Sequence, residues 1–326
     1  MRNTKNILAA ALLACVAGPI ALPAAAQDYP GKPITMLVPY PAGQSVDLLA
    51  RVISDGLSKV LGQPIIVENK PGAGGTLGTG LVARAAPDGY TLGMSSSGPL
   101  GIAPHLFKNT NYDPVKDFTA IMNVAAVAQT MVVSAKSDIK SVQDLVAAAK
   151  AQPNKLNFGS PGNGSTSHLT QEMFKQRANV QMLHVPYKGG PAAITDLIGG
   201  QIDVLFEASP TVTPFINRGD LRALAVTTKT SIPALPQVKP LASQGYEGFE
   251  AVGWMGIVGP AGMKPEVVQT LHAALVKTLQ DPAVREKLDT QGMLTLGDTP
   301  QEFSAFIQSE SEKWGSVIRN ADIKVQ

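Results

Sequence analysis

Two short stretches rich in glycine and hydroxyl side chains carry the chemistry that this chain offers. Residues 39–47 read Pro-Tyr-Pro-Ala-Gly-Gln-Ser-Val-Asp and residues 159–168 read Gly-Ser-Pro-Gly-Asn-Gly-Ser-Thr-Ser-His. Each follows an apolar run and leads into a helical pattern. A strand-to-helix turn leaves the first backbone N–H groups of the helix unpaired and aimed outward, and the macrodipole adds partial positive charge there, so a carboxylate or phosphate can settle on it. Two such turns together form a clamp for a ligand charged at both ends.

In the first turn Ser45 is placed to cap the helix that starts at Val46, and Gly43 allows the backbone to approach a ligand closely. Asp47 lies in the first helical turn, where a carboxylate either favours the dipole or fixes a ligand amine, a water or the loop itself. The second turn sets Ser160, Asn163, Ser165, Thr166 and Ser167 beside Gly159, Gly162 and Gly164. Capping accounts for one or two of those five polar residues, and ligand binding for the rest. Ser95 and Ser96 in the run Ser-Ser-Ser-Gly at 95–98, and Tyr187, Lys188 and Glu207 just past later apolar runs, are further residues at strand ends. Residues 71–80 come close to G-x-G-x-x-G but set Leu77 where the third glycine belongs, and read as a tight turn packed on a neighbouring element.

Short apolar runs alternating with longer helical ones must position these turns, which is an α/β pattern. Strands are expected at 34–39, 64–68, 90–94, 130–134, 156–158, 182–185, 203–206 and 221–226, apolar on both faces as parallel strands covered by helices are. The spacing predicts a helix over 46–61, with Leu48, Leu49, Val52, Ile53, Leu57 and Val60 on one face and Gly62 ending it. Further helices are expected at 142–151, 167–177, 192–200, 265–279 and 300–320, with no strand between the last two. Such a tail folds back across an earlier domain, so the chain is expected to cross between two lobes twice, near 126–129 and near 253–254. Ligands of open α/β sheets bind beyond the carboxyl ends of the strands, where both turns fall.

The N-terminus has the form of a secretory signal. Arg2 and Lys5 precede an apolar stretch over 7–21, and Ala24-Ala25-Ala26 fits a cleavage site before Gln27. A membrane anchor is the competing reading, against which stand Gly18, Pro19 and Pro23. Cys15 after Leu12-Leu13-Ala14 offers a minor lipoprotein alternative. Without residues 1–26 the chain keeps 25 basic residues against 25 acidic and no cysteine. That balance gives no disulfide framework, no thiol chemistry and no basic footprint for nucleic acid. At 44% hydrophobic over 326 residues, burial must supply the stability.

Catalysis has little support. His105, His168, His184 and His272 stand in no metal-ligand spacing, and neither a G-x-S-x-G elbow nor a P-loop occurs. No cofactor and no metal are expected. Ser160 or Ser165 as a nucleophile with His168 as base gives a hydrolase reading, Asp47 and Glu207 around an amine give an amino-acid or cation binder, and Phe206 with Tyr187 admits an aromatic carboxylate.

Six ordered motifs carry a resemblance: residues 29–34 (YPGKPI), 38–47 (VPYPAGQSVD), 67–75 (VENKPGAGG), 86–91 (APDGYT), 158–165 (FGSPGNGS) and 184–189 (HVPYKG). From about Tyr29 to its C-terminus the chain resembles the Bug-type extracytoplasmic solute receptors of tripartite tricarboxylate transporters. The resemblance implies a two-lobe periplasmic binding protein of the Venus flytrap, type II-like fold, not an enzyme, closing on a small organic carboxylate. It implies delivery to membrane permease subunits, or a report of occupancy to a signalling partner; a monomer suffices. Lobe 1 is expected over 27–128 and 254–326, and lobe 2 over 129–253. Carried over by motif, the ligand residues are Ala42, Gly43 and Asp47 on one side and Ser160, Asn163, Ser165, Thr166 and Ser167 on the other. Gln44 stands where many relatives have glycine, and Glu207 where they have a shorter carboxylate or an amide.

Overall fold

A computed structural model describes residues 29–323. The signal sequence expected at 1–26, with Cys15, lies outside the described residues. In chain order the elements are β1 (Ile34–Val38), α1 (Ser45–Leu61), β2 (Ile65–Asn69), α2 (Thr76–Ala83), β3 (Thr91–Ser96), α3 (Ala103–Leu106) and β4 (Phe118–Ser134). Next come α4 (Val142–Ala151), β5 (Asn157–Ser160), α5 (Thr166–Ala178), β6 (Leu183–Pro186), α6 (Gly190–Ile198), β7 (Val204–Ala208), α7 (Ser209–Asn217) and β8 (Leu221–Val226). The chain closes with β9 (Val252–Pro260), α8 (Pro265–Gln280), α9 (Pro282–Thr290), β10 (Leu294–Thr295) and α10 (Pro300–Asn320).

The strands run in the order β2-β1-β3-β9-β4-β7-β5-β6, with β8 and β10 also paired to β4. β1, β2 and β3 are mutually parallel, as are β5, β6 and β7, whereas β4 and β9 run antiparallel to their neighbours. β4 belongs to both halves. Its residues Phe118 to Ala128 pair with β9, and from Gln129 onward it pairs with β7 and β8. The first half of the sheet is one lobe and the second half the other.

Both faces of each half are covered, which is why the strands read as continuous apolar runs. In the first lobe Ile34, Met36 and Val38 face α1 and α8 through Leu49, Ile53, Leu271 and Leu275, while Leu37 faces Val82, Trp254 and Phe303. In the second, Met131, Val133 and Phe206 pack with Phe158 and Phe174, and Val132 and Leu205 with Ile194 and Leu197. The buried arc of α1 is narrower than its sequence predicts: Leu49, Val52, Ile53 and Leu57 are inside, whereas Leu48 and Val60 are 39% and 40% exposed.

Several elements depart from the sequence expectation. β4 starts at Phe118, not 130, and β9 had no counterpart; both are small-residue runs buried on both faces, without the period that separates a strand from other buried segments. Residues 76–83 form α2, whose Gly78 packs so tightly that a Cβ there would lie 2.5 Å from the Lys70 carbonyl. α7 starts directly at the end of β7, and α9 with the two-residue β10 separates α8 from α10. α10 also bridges the lobes. Phe303 and Ile307 belong to the first-lobe core and Trp314, Val317 and Ile318 to the second, and between them Glu310 Oε2 accepts from the indoles of Trp254 at 3.1 Å and Trp314 at 3.0 Å.

At the crossing, β8 leaves the second lobe at Val226 and the chain returns through β9 beside β4. Thr227, fully buried, ties the two passages. Its Oγ1 accepts the Gln129 N–H at 3.0 Å and faces the carbonyls of Gln129 at 3.0 Å and Ala251 at 2.5 Å. Thr227→Val keeps the volume and strands a buried N–H, so it is expected to cost about 1–3 kcal/mol. Urea denaturation should show a lower midpoint at unchanged slope; an unchanged midpoint would refute the role given to this hydroxyl.

Candidate functional site

Between the lobes lies a cleft of about 450 Å³. Its floor is the crossing, with Val127 and Gln129 from β4 and Gly253 to Met255 from β9. The N-terminus of α1 enters one wall through Ser45 and Val46, and the N-terminus of α5 enters the other through Ser165 and Thr166. Tyr40, Ser96 and Ser97 complete the first wall, and residues 161–164 the second.

The first turn is held by Asp47, 1% exposed. Its carboxylate accepts from the Gly43 N–H at 2.8 Å, Asn69 Nδ2 at 2.8 Å and Arg51 Nε at 3.0 Å. Burial opposes the charge, but Arg51, the Gly43 N–H and Asn69 outweigh it and hold the carboxyl below its ordinary range. Asn69 also donates to the Tyr40 carbonyl at 3.0 Å, so the turn is anchored to the end of β2. Gly43, at φ +85°, takes the left-handed conformation that closes the turn. Ala42 and Gly43 are exposed and stand beside the cleft, not in its lining.

The second turn rests on stacked rings. Phe158 and His184 lie 4.8 Å apart, and His184 and His168 3.8 Å apart at 8°. Burial, with Lys175 nearby, pushes His168 down to about 3 and His184 to about 4, so both are neutral at pH 7. His168 Nδ1 accepts the Gly164 N–H at 3.1 Å, which puts its proton on Nε2. Ser165 caps α5 by accepting the His168 N–H at 3.2 Å, and Ser167 anchors the helix to β7 by donating to the Phe206 carbonyl.

Ser160, fully buried, lies 2.6 Å from His184 Nε2. That is a nucleophile-to-base distance, yet neither group lines the cleft. Of the residues expected from the sequence as ligand residues, Ser96, Asn163, Ser165 and Thr166 line it. Ser95 turns to Thr79 at 3.2 Å, Tyr187 donates to Asp196 at 2.8 Å, and Ser160, Ser167, Asp47 and Glu207 stand behind the lining. Tyr40, Ser45, Ser97, Gln129, Ala208 and Trp254 line it without having been named as ligand residues. Gln129 had a signal, an amide in a run of mostly small and apolar residues.

No charged side chain lines the cleft among the described residues. The first amides of both helices, at Ser45, Val46, Thr166 and Ser167, find no acceptor among the described residues. Hydroxyls of Tyr40, Ser45, Ser96, Ser165 and Thr166 surround them, and Ile102, Phe107, Trp254 and Met255 supply an apolar middle. The arrangement presents neutral donors at two poles and hydrocarbon between.

The sequence from residue 49 to 323 matches the family model described as tripartite tricarboxylate transporter family receptor. The chain belongs to that family. Its members are receptors, not enzymes, and they are periplasmic. Protein BugT of Bordetella pertussis is 35% identical over 327 residues, covering 100% of both chains. A solved structure of an R. palustris protein with adipate shares 31% identity at a TM-score of 0.76, covering 91% of this chain and 99% of the other. MatC of Rhodopseudomonas palustris with bound malate shares 30% identity at a TM-score of 0.72, covering 89% and 100%. The two-lobe α/β fold with its crossing strands is the fold of this receptor family.

One carboxyl behind the lining is expected to make stability depend on pH. Burial pushes Glu207 from 4.5 up to about 7, only partly offset by the Ala208 N–H that Oε1 accepts at 2.8 Å. The group holds its proton more tightly folded than unfolded, so its contribution to stability is full below about 4.5 and is lost as pH rises through about 7. Glu207→Gln is expected to raise Tm by about 2–5 °C at pH 8 and to change it little at pH 5. Equal shifts at both pH values, read by differential scanning fluorimetry, would contradict this.

Proposed function

We propose that the protein binds a small organic carboxylate, with each end of the ligand set on one helix N-terminus, and delivers it to the membrane permease subunits of a tripartite transporter. The carrying observation is a cleft without charged side chains whose opposite walls are formed by two helix N-termini with unpartnered backbone amides. Such donors suit anions and offer nothing to an ammonium group. The amine-binding reading needs Asp47 or Glu207 in the cleft, and both stand behind its lining, Asp47 already engaged by three donors. The relatives solved with adipate and malate support a dicarboxylate.

Each charge-assisted hydrogen bond to the ligand contributes roughly 1.5–3 kcal/mol. Only a closed cleft engages both poles, so the ligand has differential affinity for the closed state and shifts the lobes toward it. In this reading lobe 1 comprises residues 27–128 and 254–326, lobe 2 residues 129–253, and the chain acts as a monomer exported by a cleavable signal over residues 1–26. Reporting occupancy to a signalling partner would use the same closure.

The test is a thermal-shift screen of refolded protein against adipate, malate, citrate, nicotinate and aspartate, followed by calorimetry. A ligand at 100 times its dissociation constant adds about 2.7 kcal/mol, a shift of several degrees. Thr166→Ala should weaken the best carboxylate about 10- to 100-fold with Tm of the free protein little changed. Ser165→Ala should weaken it as well and lower stability by about 1 kcal/mol through the lost cap. Shifts with amines or sugars in place of carboxylates would refute the proposal.

A further inference from the structure

A second cavity, about 560 Å³, lies behind the crossing. Side chains of a strand alternate between its faces. Val127 and Gln129 of β4 therefore line the front cleft while Ala128 lines the rear cavity, and Ala208 at the end of β7 lines the front while Ser209 at the start of α7 lines the rear. The two cavities share one wall, and that wall is the crossing between the lobes.

The rear cavity also takes one side from each lobe. Pro210 and Pro214 of α7, with Pro233 and Ala234, form the second-lobe side; Met293, Leu294 and Leu296 around β10 form the first-lobe side. The two sides meet where Gly292 touches Pro210, so closely that a Cβ on Gly292 would lie 2.5 Å from the proline ring. At the rim stands Arg285 of α9. Its Nε donates to the Leu279 carbonyl at 2.7 Å, and no carboxylate among the described residues pairs with its guanidinium. Asp289, one turn further on, also lines the rim, and the hydroxyl of Thr295, shut off from solvent, has no hydrogen-bond partner.

We infer that this rear cavity is a second ligand site, for an apolar monocarboxylate, whose occupation holds the front cleft closed. The proline and aliphatic walls take a hydrocarbon body, and Arg285 takes one carboxylate. Arg285 is the one cationic residue of the lining and the remaining walls are largely apolar, so a second carboxylate would be buried without a charged partner and the site disfavours the dicarboxylates proposed for the front. Because the crossing lies between the cavities, opening the front brings Pro210, Pro214 and Pro233 toward Met293 and Leu294. A body lodged between them resists that approach, and by linkage a ligand in front tightens the rear site by the same factor. The coupling rests on the front cleft closing on its ligand; binding at the rear does not.

The test uses octanoate as probe, titrated calorimetrically into the whole protein. Arg285→Gln is expected to weaken octanoate tenfold or more, Arg285→Lys less, and Ala234→Trp, which fills the cavity from an exposed loop, to abolish binding; Thr166→Ala in the front cleft should leave it unchanged. Saturating octanoate should then tighten adipate about fivefold or more, and Ala234→Trp should show tighter adipate binding that octanoate no longer alters. Absence of octanoate heat, heat that survives both Arg285→Gln and Ala234→Trp, or heat lost in Thr166→Ala would overturn the site. Adipate affinity unchanged or weakened by octanoate would overturn the coupling. Failure of adipate to bind at all would tell against the front-cleft reading alone, with the octanoate series still deciding the rear site.

Discussion

A chain that passes from one lobe to another through a packed interior must keep its backbone hydrogen bonds paired on the way, because each buried group left open costs as much as a lost bond. β4 meets that constraint by changing partners without a break, from β9 to β7 and β8 at Ala128 and Gln129. The change of partner is where the lobes join, so it is also the floor of the cleft. Thr227 closes the same point by serving Gln129 and Ala251 with one hydroxyl, and Glu310 ties the two indoles on either side of it. The lobes are thus joined through a hydrogen-bonded waist, and the two helix-leading turns are carried on sheets on either side.

The electrostatics follow from how the acidic and basic groups near the cleft are silenced. Asp47 keeps its charge but spends it on three donors, fixing the first turn. Burial raises Glu207 to about 7, so it carries only part of its charge at neutral pH, and burial keeps the His168 and His184 pair uncharged under the second turn. What remains to face a ligand is oriented backbone dipole and hydroxyl. A lysine or arginine in the same position would carry its own desolvation cost and long flexible stem, whereas helix amides are already aimed.

Much of this was readable from residue types. The strand-turn-helix punctuation located both turns, the βα alternation gave the fold class, and the six motifs gave the family. What the sequence hid were the two longest strands and most of the lining. β4 and β9 are buried on both faces and are mostly small and apolar residues with only scattered polar ones, so they have no regular polar stripe from which to read a period. The second turn shows the matching difficulty for sites: Ser160, Ser165, Thr166 and Ser167 look equivalent in sequence, yet two face the cleft and two are spent inside. Which hydroxyl points where is set by partners distant in the chain, His184 for Ser160 and Phe206 for Ser167, and local pattern has no access to them.

Those inward-pointing groups explain why the turns can serve as binding poles at all. A glycine-rich loop left free would have to be ordered by its ligand, at a cost of the same size as the hydrogen bonds gained. Here the ordering is done by the fold: Asp47 and Asn69 pin the first turn, and the ring stack, the Ser165 cap and Ser167 pin the second. In the proposed closure, the freedom that a ligand still has to restrict is the relative motion of the lobes. In the proposed binding mode the turns supply affinity that changes little from one carboxylate to another, and discrimination would fall to the apolar middle lined by Ile102, Phe107, Trp254 and Met255.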